Sequence, residues 1–255
     1  MEEKYVRNFN SRNRAKRLPV CFCIDTSGSM NKIVEGYDEA IDGKGTEAFI
    51  DQQCVDTIAD RPGLITLADK MNEGIKNFYK AIGGDFRACD SCEVAIVTFN
   101  DEPKLYDGFS SVEEKKLPDF TKLITDGNTY MTPAIEMALD LLEEQMLFYK
   151  KNNARSFKPW LVLFTDGLPS DDVTLIKRRL KDLQERGELF VYTVALSDKP
   201  GELEGARGFS LNEPINASDP KVITQFFHFL SKSVSAGAQG VAPKAFKADI
   251  PDNVF

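Results

Sequence analysis

The sequence predicts an open α/β fold: a doubly wound, mostly parallel sheet flanked by helices. Three observations carry this. Short apolar runs alternate with longer segments of helical period. The runs are almost unbroken in hydrophobicity, as strands covered on both faces require. Polar loops with small residues follow the runs, at the strand ends where sheets of this kind bind ligands.

The strands are read at PVCFCI (19–24), EVAIVTF (93–99), WLVLFT (160–165) and LFVYTVAL (189–196). A helix over 64–82 places Leu67, Met71, Ile75, Phe78 and Ile82 at spacings of three and four, one buried stripe. A helix over 132–150 takes Thr132 as its cap and Pro133 as its first residue, the positions these types favour. Its inner face is Ile135, Ala138, Leu142, Met146 and Tyr149. A third helix, 170–187, opens on Ser170 and two acids and closes on basic residues and Gly187, a charge order that suits the helix dipole. Its buried stripe is Val173, Ile176, Leu180 and Leu183. The last helix, 219–235, is apolar through Val222, Phe226, Phe229 and Leu230.

One domain over 18–235 accounts for these elements. It is preceded by a basic tail, 1–17, with four arginines and two lysines, and followed by a tail, 236–255, of small residues and prolines. Residues 31–63, rich in glycine and acids, form an insertion between the first strand and its helix. At 255 residues, 42% apolar and 28% charged, the composition is that of a globular chain. Forty acidic against 32 basic residues give −8, which argues against nucleic acid as a partner. No apolar run reaches the ~18 residues of a membrane span, and none near the N-terminus resembles a secretory signal, so the expected location is the cytoplasm, away from membranes.

Five cysteines, an odd number, suit reduced thiols. Cys21 and Cys23 lie two apart on a strand and face one side of the sheet as small hydrophobes. Cys89 and Cys92 form a C-x-x-C that precedes a strand instead of opening a helix, and no second ligand pair exists to complete a zinc site. His228 is the only histidine and sits among phenylalanines in the last helix, a packed or surface position in preference to a catalytic one. No catalytic residue is assigned.

Three loops converge on one edge of the predicted sheet: Asp25-Thr26-Ser27-Gly28-Ser29, Asn128-Thr129 and Thr165-Asp166-Gly167. They offer carboxylate and hydroxyl oxygen, without thiolate or imidazole, which selects a hard cation: Mg2+, with Mn2+ as the substitute. In D-x-S-x-S alternate side chains can point to one centre, and Gly28 permits the bend. Singly, each residue has a plainer reading, the aspartates as caps and the serines as turn formers; together at one edge they favour an ion site.

The run of an apolar strand into DTSGSM, then G-x-T before a helix, then an apolar strand into TDG, resembles the von Willebrand factor A (VWA) domain and its metal-ion-dependent adhesion site. The resemblance covers about residues 18–235. It implies that Asp25, Ser27, Ser29, Thr129 and Asp166 hold the metal, the hydroxyls touching it and the aspartates acting directly or through water. Thr132 lies close to Thr129 in GNTYMT; its capping role leaves Thr129 as the ligand. The resemblance also implies one antiparallel edge strand. It further implies a non-enzymatic module in which an acidic residue of a protein partner completes the coordination. RLPVCFCIDTSGSM, KPWLVLFTDGLPSDD and LSKSVS look most like the bacterial tellurium-resistance type, whose associates include a kinase and a phosphatase. The alternative is a Mg2+-dependent phosphoryl-transfer or phosphatase-like enzyme. Against it, Ser27 stands where an aspartate-nucleophile phosphatase carries its second aspartate, and no G-x-x-x-x-G-K-[ST] loop is present.

Overall fold

A computed structural model describes residues 15–35, 65–124, 127–197 and 199–241. Six strands form one sheet in the order β5-β4-β1-β6-β7-β8, from β1 (Leu18–Asp25), β4 (Cys92–Phe99), β5 (Pro103–Ser111), β6 (Trp160–Thr165), β7 (Phe190–Ala195) and β8 (Ile215–Asn216). All neighbours are parallel except β4 and β5. The antiparallel edge strand is therefore present, and it is β5. Its sequence, PKLYDGFSS, carries proline, glycine and aspartate and has no apolar run, which is why strand patterning passes over it. A separate pair, β2 (Ile33–Glu35) and β3 (Ile65–Thr66), brackets the insertion, whose residues 36–63 lie outside those described.

Helices cover both faces. On one side lie α1 (Leu67–Gly83), the short α2 (Phe86–Ser91) and, last in the chain, α6 (Pro220–Ala238); on the other lie α3 (Met131–Lys151) and α4 (Thr174–Glu185). A one-turn α5 (Pro200–Gly205) follows β7. The two-residue period of β1 divides the cores. Leu18, Val20, Phe22 and Ile24 face α1 and α6, whereas Cys21 and Cys23 face α3 and α4 as buried free thiols. Burial holds the Cys21 thiol protonated, its pKa pushed up to about 12. Cys89 ends in α2 and Cys92 begins β4. Burial raises both thiols' pKa values, that of Cys89 to about 11, so neither is an activated nucleophile.

Most of the ring–ring contacts lie on the α1/α6 side, while Phe99, Phe109 and Phe209 pack on the other. Phe164 of β6 stacks on Phe227 at 5.4 Å and 15°, and Phe22 meets Phe78 edge-on at 5.4 Å. In α6 the buried stripe is Val222, Ile223, Phe226, Phe227, Leu230 and Val234. Phe229, expected inside, is only partly buried, and Phe227 takes the deep position. His228 is exposed. The α1 stripe is as expected, Leu67, Met71, Ile75, Phe78 and Ile82 all being buried.

Helix starts are where the expectations fail. Thr132 does not cap α3. The helix begins at Met131, and Asp171 caps it from the next loop, Oδ1 accepting from Met131 N–H at 2.9 Å and Oδ2 from Thr132 N–H at 2.8 Å. For the same reason Ser170 does not open the following helix: Ser170 and Asp171 serve the Thr129 loop and the start of α3, Asp172 accepts from Thr174 N–H, and α4 starts only at Thr174. A carboxylate donated across space satisfies two orphan amides as well as a local cap would, and local sequence patterning cannot see it.

Three substitutions check these contacts. At Gly74 of α1 an added Cβ would lie 2.2 Å from the Phe227 ring. Gly74→Ala is expected to destabilise by about 1–2 kcal/mol in urea unfolding, overpacking outweighing a helix-propensity gain of ~1 kcal/mol. Asp171→Ala is expected to cost about 1–2 kcal/mol and Thr132→Ala less than ~0.5 kcal/mol, the reverse of what local capping by Thr132 predicts.

Candidate metal centre

β1 continues to its last residue, Asp25, whose carboxylate is fully buried between β4 and β6. The chain then turns. Thr26 N–H and its hydroxyl both donate to the Phe99 carbonyl, at 2.8 and 3.0 Å, and Ser27 N–H donates to Asp25 Oδ1 at 2.9 Å. A single 3-10 turn over Gly28–Asn31 follows and presents Ser27 and Ser29 on one side, their Oγ atoms 3.1 Å apart in a shared hydrogen bond.

β6 delivers the other half. Thr165, its last residue, donates from Oγ1 to Asp25 Oδ2 at 2.8 Å, and Asp166, the next residue, accepts from Ser29 Oγ at 2.7 Å. The third segment enters beside them. Thr129 is buried, its N–H donating to Ser170 Oγ and its carbonyl accepting from Ser170 N–H, both at 2.9 Å. Its hydroxyl lies against Gly167, where an added Cβ would come within 3.3 Å of Oγ1. The absence of a side chain there lets the second and third loops close on each other. Thr132 points elsewhere, its hydroxyl donating to the Asp172 carbonyl. Asn128 also turns away, bonding Asp101 Oδ1 through its backbone and side-chain amides at 2.8 and 3.0 Å.

Asp25, Ser27, Ser29 and Asp166 are thus joined in one hydrogen-bonded chain, and Thr129 flanks it. The role of Thr165 as the partner of Asp25 follows from strand register, which brings the ends of β1 and β6 side by side. Ser170 and Asp171, where the sequence pattern expects a helix to start, instead fix the Thr129 loop. Asp in a T-D-G-x-P-S-D-D run, with more acids than one helix start needs, is the signal that could have marked them.

Both carboxyl groups of the site are buried. Burial raises the pKa of Asp25, and the bonds from Ser27 and Thr165 oppose this. Burial, then the Asp25 charge, raises Asp166 to about 7; the Ser29 bond opposes it, and Glu202 adds a further negative charge. Two buried carboxylates this close cannot both ionise cheaply. Either a proton or a cation must sit with them. Among the described residues no three side chains of the Asp, Glu, His or Cys types gather to hold a metal, and the side chains beside the two aspartates are hydroxyls, so the side-chain donor set has hard-ion character.

The profile of the von Willebrand factor type A domain matches residues 20–168, more than half of the chain. The chain belongs to this family. VWA domains are common protein-interaction modules, and the matched span contains all three loops described above. Solved structures agree in fold. The PilB minor pilin from Streptococcus sanguinis superposes with a TM-score of 0.59 at 14% identity, covering 88% of this chain and 62% of the pilin chain. The VWA-type domain of the type V pili tip protein Mfa5 from Porphyromonas gingivalis gives 0.55 at 11% identity, covering 92% and 99%. The SpRpn10 VWA domain gives 0.52 at 11%, covering 85% and 95%. The chain therefore spans about three fifths of the pilin, and at these identities the likeness is one of fold. No curated protein matches the sequence.

The raised carboxyl pKa values predict a pH dependence. An acid whose pKa is higher folded than unfolded stabilises the fold fully below its unfolded value, ~3.9, and that contribution is lost as pH rises through its folded value. In chelator, stability is expected to fall between about pH 4 and 7 with a slope of up to ~1.4 kcal/mol per pH unit. Asp166→Asn is expected to flatten the slope; urea midpoints across this range would read it.

Proposed function

We propose that the rim formed by Asp25, Ser27, Ser29, Thr129 and Asp166 is a metal-ion-dependent adhesion site that binds Mg2+, or Mn2+ in its place, and that the domain captures a protein partner through an acidic residue completing the metal's coordination. The observation that carries the reading is the convergence of the first and third loops: Ser29 Oγ bonds Asp166 Oδ1 while sharing a hydrogen bond with Ser27.

The donor set fits the group. A divalent cation between two buried carboxylates replaces the protons that their raised pKa values would otherwise retain. Ser29 gives its proton to Asp166, so Ser27 donates in the bond between the two serines, and one lone pair of the Ser29 oxygen stays available. Two carboxylates balance the charge of the ion, and the remaining contacts are neutral hydroxyls. Bound Mg2+ keeps exchangeable waters, and an external carboxylate can replace one. Specificity then falls to the surrounding loops and to Glu202, whose charge near Asp166 disfavours an incoming acid on that side.

On this reading the protein is a binding module and not an enzyme. Its resemblance to the tellurium-resistance type supports a place in a bacterial stress-response or signalling assembly, with a kinase or phosphatase component as partner. The free thiols Cys21, Cys23, Cys89 and Cys92 suit the reducing cytoplasm.

The test compares Mg2+ with chelator. Mg2+ at a hundred times its dissociation constant is expected to stabilise the wild type by ~2.7 kcal/mol and to permit partner capture in pull-downs. Asp25→Ala is expected to lose both. Because Asp25 also ties strand ends together, Ser29→Ala is the second variant, expected to keep the fold and weaken Mg2+ binding about tenfold. Full partner binding in chelator would refute the reading.

A further inference from the structure

At the opposite rim of the sheet, where β6 and β7 begin, a groove of about 890 Å³ runs between α3 and α4. Its floor is apolar: Leu139, Leu142 and Met146 of α3, Leu183 of α4, and Leu189. Leu175 on its wall is 76% exposed. Beside it stand Arg178 and Arg179, which have no acidic partner among the described residues, while the neighbouring Lys181 and Arg186 pair with Glu185 and Glu188. Glu143 and Asp182 also line the groove, so an apolar trough costly to leave in water is edged by charge of both signs, and it matches a segment carrying apolar residues with charged ones between them.

We propose that the occupant is the chain's own C-terminal segment, residues 242–255. Its starting point, length and chemistry each support this. Beyond α6 the described chain runs to Val241, which lines a small hollow with Leu18, Trp160, Phe157 and Lys158. Phe157 and Lys158 also line the large groove, so the chain is handed to the mouth of the groove. Residues 242–255 can span roughly 45 Å when extended. The 12 residues of α4 need only ~18 Å to be followed end to end. The segment, APKAFKADIPDNVF, offers Phe246, Ile250, Val254 and Phe255 to the floor, and Asp249 and Asp252 to the arginines. Pro243 and Pro251 disfavour a helix and suit an extended strap.

Trypsin cleavage after Lys244 and Lys247 of the full chain, followed by mass spectrometry, tests the docking. When opening is fast, cleavage tracks the open fraction. The wild-type segment is expected to be cut at least tenfold more slowly than a free peptide of residues 242–255. Leu175→Asp and the pair Arg178→Glu with Arg179→Glu, all on the solvent side of α4, are expected to restore most of that rate with circular dichroism unchanged. Wild-type cleavage at the free-peptide rate, or protection that the groove variants leave intact, would overturn the proposal. So would protection that vanishes on dilution, since the occupant would then be the segment of a second copy.

Discussion

The site depends on a reciprocal clasp between the ends of two neighbouring strands. Thr165, closing β6, gives its proton to Asp25, which closes β1; Ser29, just after β1, gives its proton to Asp166, just after β6. Each loop supplies a carboxylate that accepts from a hydroxyl of the other. Neither aspartate reaches solvent to any useful extent. Without such donors a buried carboxylate would cost several kcal/mol; with them the pair remains strained by mutual repulsion but is held in place. The arrangement resembles a buried polar network in which each carboxylate is satisfied by a hydroxyl of the other loop, a condition that favours one geometry.

That clasp requires β1 and β6 to be adjacent while their loops run to different places. The topology provides both. From β1 the chain proceeds by α1 to β4 on one side, and β6, β7 and β8 build outward on the other. The gap between β1 and β6 is the point where the winding reverses, so the loops leaving these strands diverge and open a crevice. The aromatic cluster below holds the strands in register: Phe22 of β1 and Phe164 of β6 pack tilted at 6.2 Å, and both touch Phe227 of α6. Removing a ring from this layer would loosen the clasp from beneath, coupling the core to the rim.

The strands, the helix stripes and the acidic and hydroxyl loops were legible in the sequence because each depends on a repeat of two or 3.6 residues, or on a short contiguous motif. Ile75 and Phe78 are inside because the period says so. The failures share another cause. Asp171 caps a helix 40 residues earlier in the chain, and Thr165 serves a carboxylate 140 residues away; such bonds exist only once the sheet has brought the loops together. The edge strand β5 escaped because an edge needs backbone partners on one side only and tolerates PKLYDGFSS, bulges included. In α6, Phe227 displaced Phe229 as the deep residue because Gly74 leaves room for its ring, a fact about the neighbouring helix.

The long-range bonds also decide how rigid the rim is. Thr129 is fixed through its backbone by Ser170, its helix start is fixed by Asp171, and both of those residues belong to the loop that carries Asp166. The second and third loops are therefore one mechanical unit, joined to the first by the Ser29–Asp166 bond. A ligand that uses all three loops meets groups already in place and spends little of its binding energy on ordering them. The adaptable element is the first loop, a single 3-10 turn whose Ser27 and Ser29 rest on hydroxyl contacts. A hydroxyl can exchange a hydrogen-bond partner for a cation by rotating about one bond, whereas moving Asp25 would unpick the strand end. Any change of state at this rim is therefore carried by the serines, with the aspartates as the fixed frame.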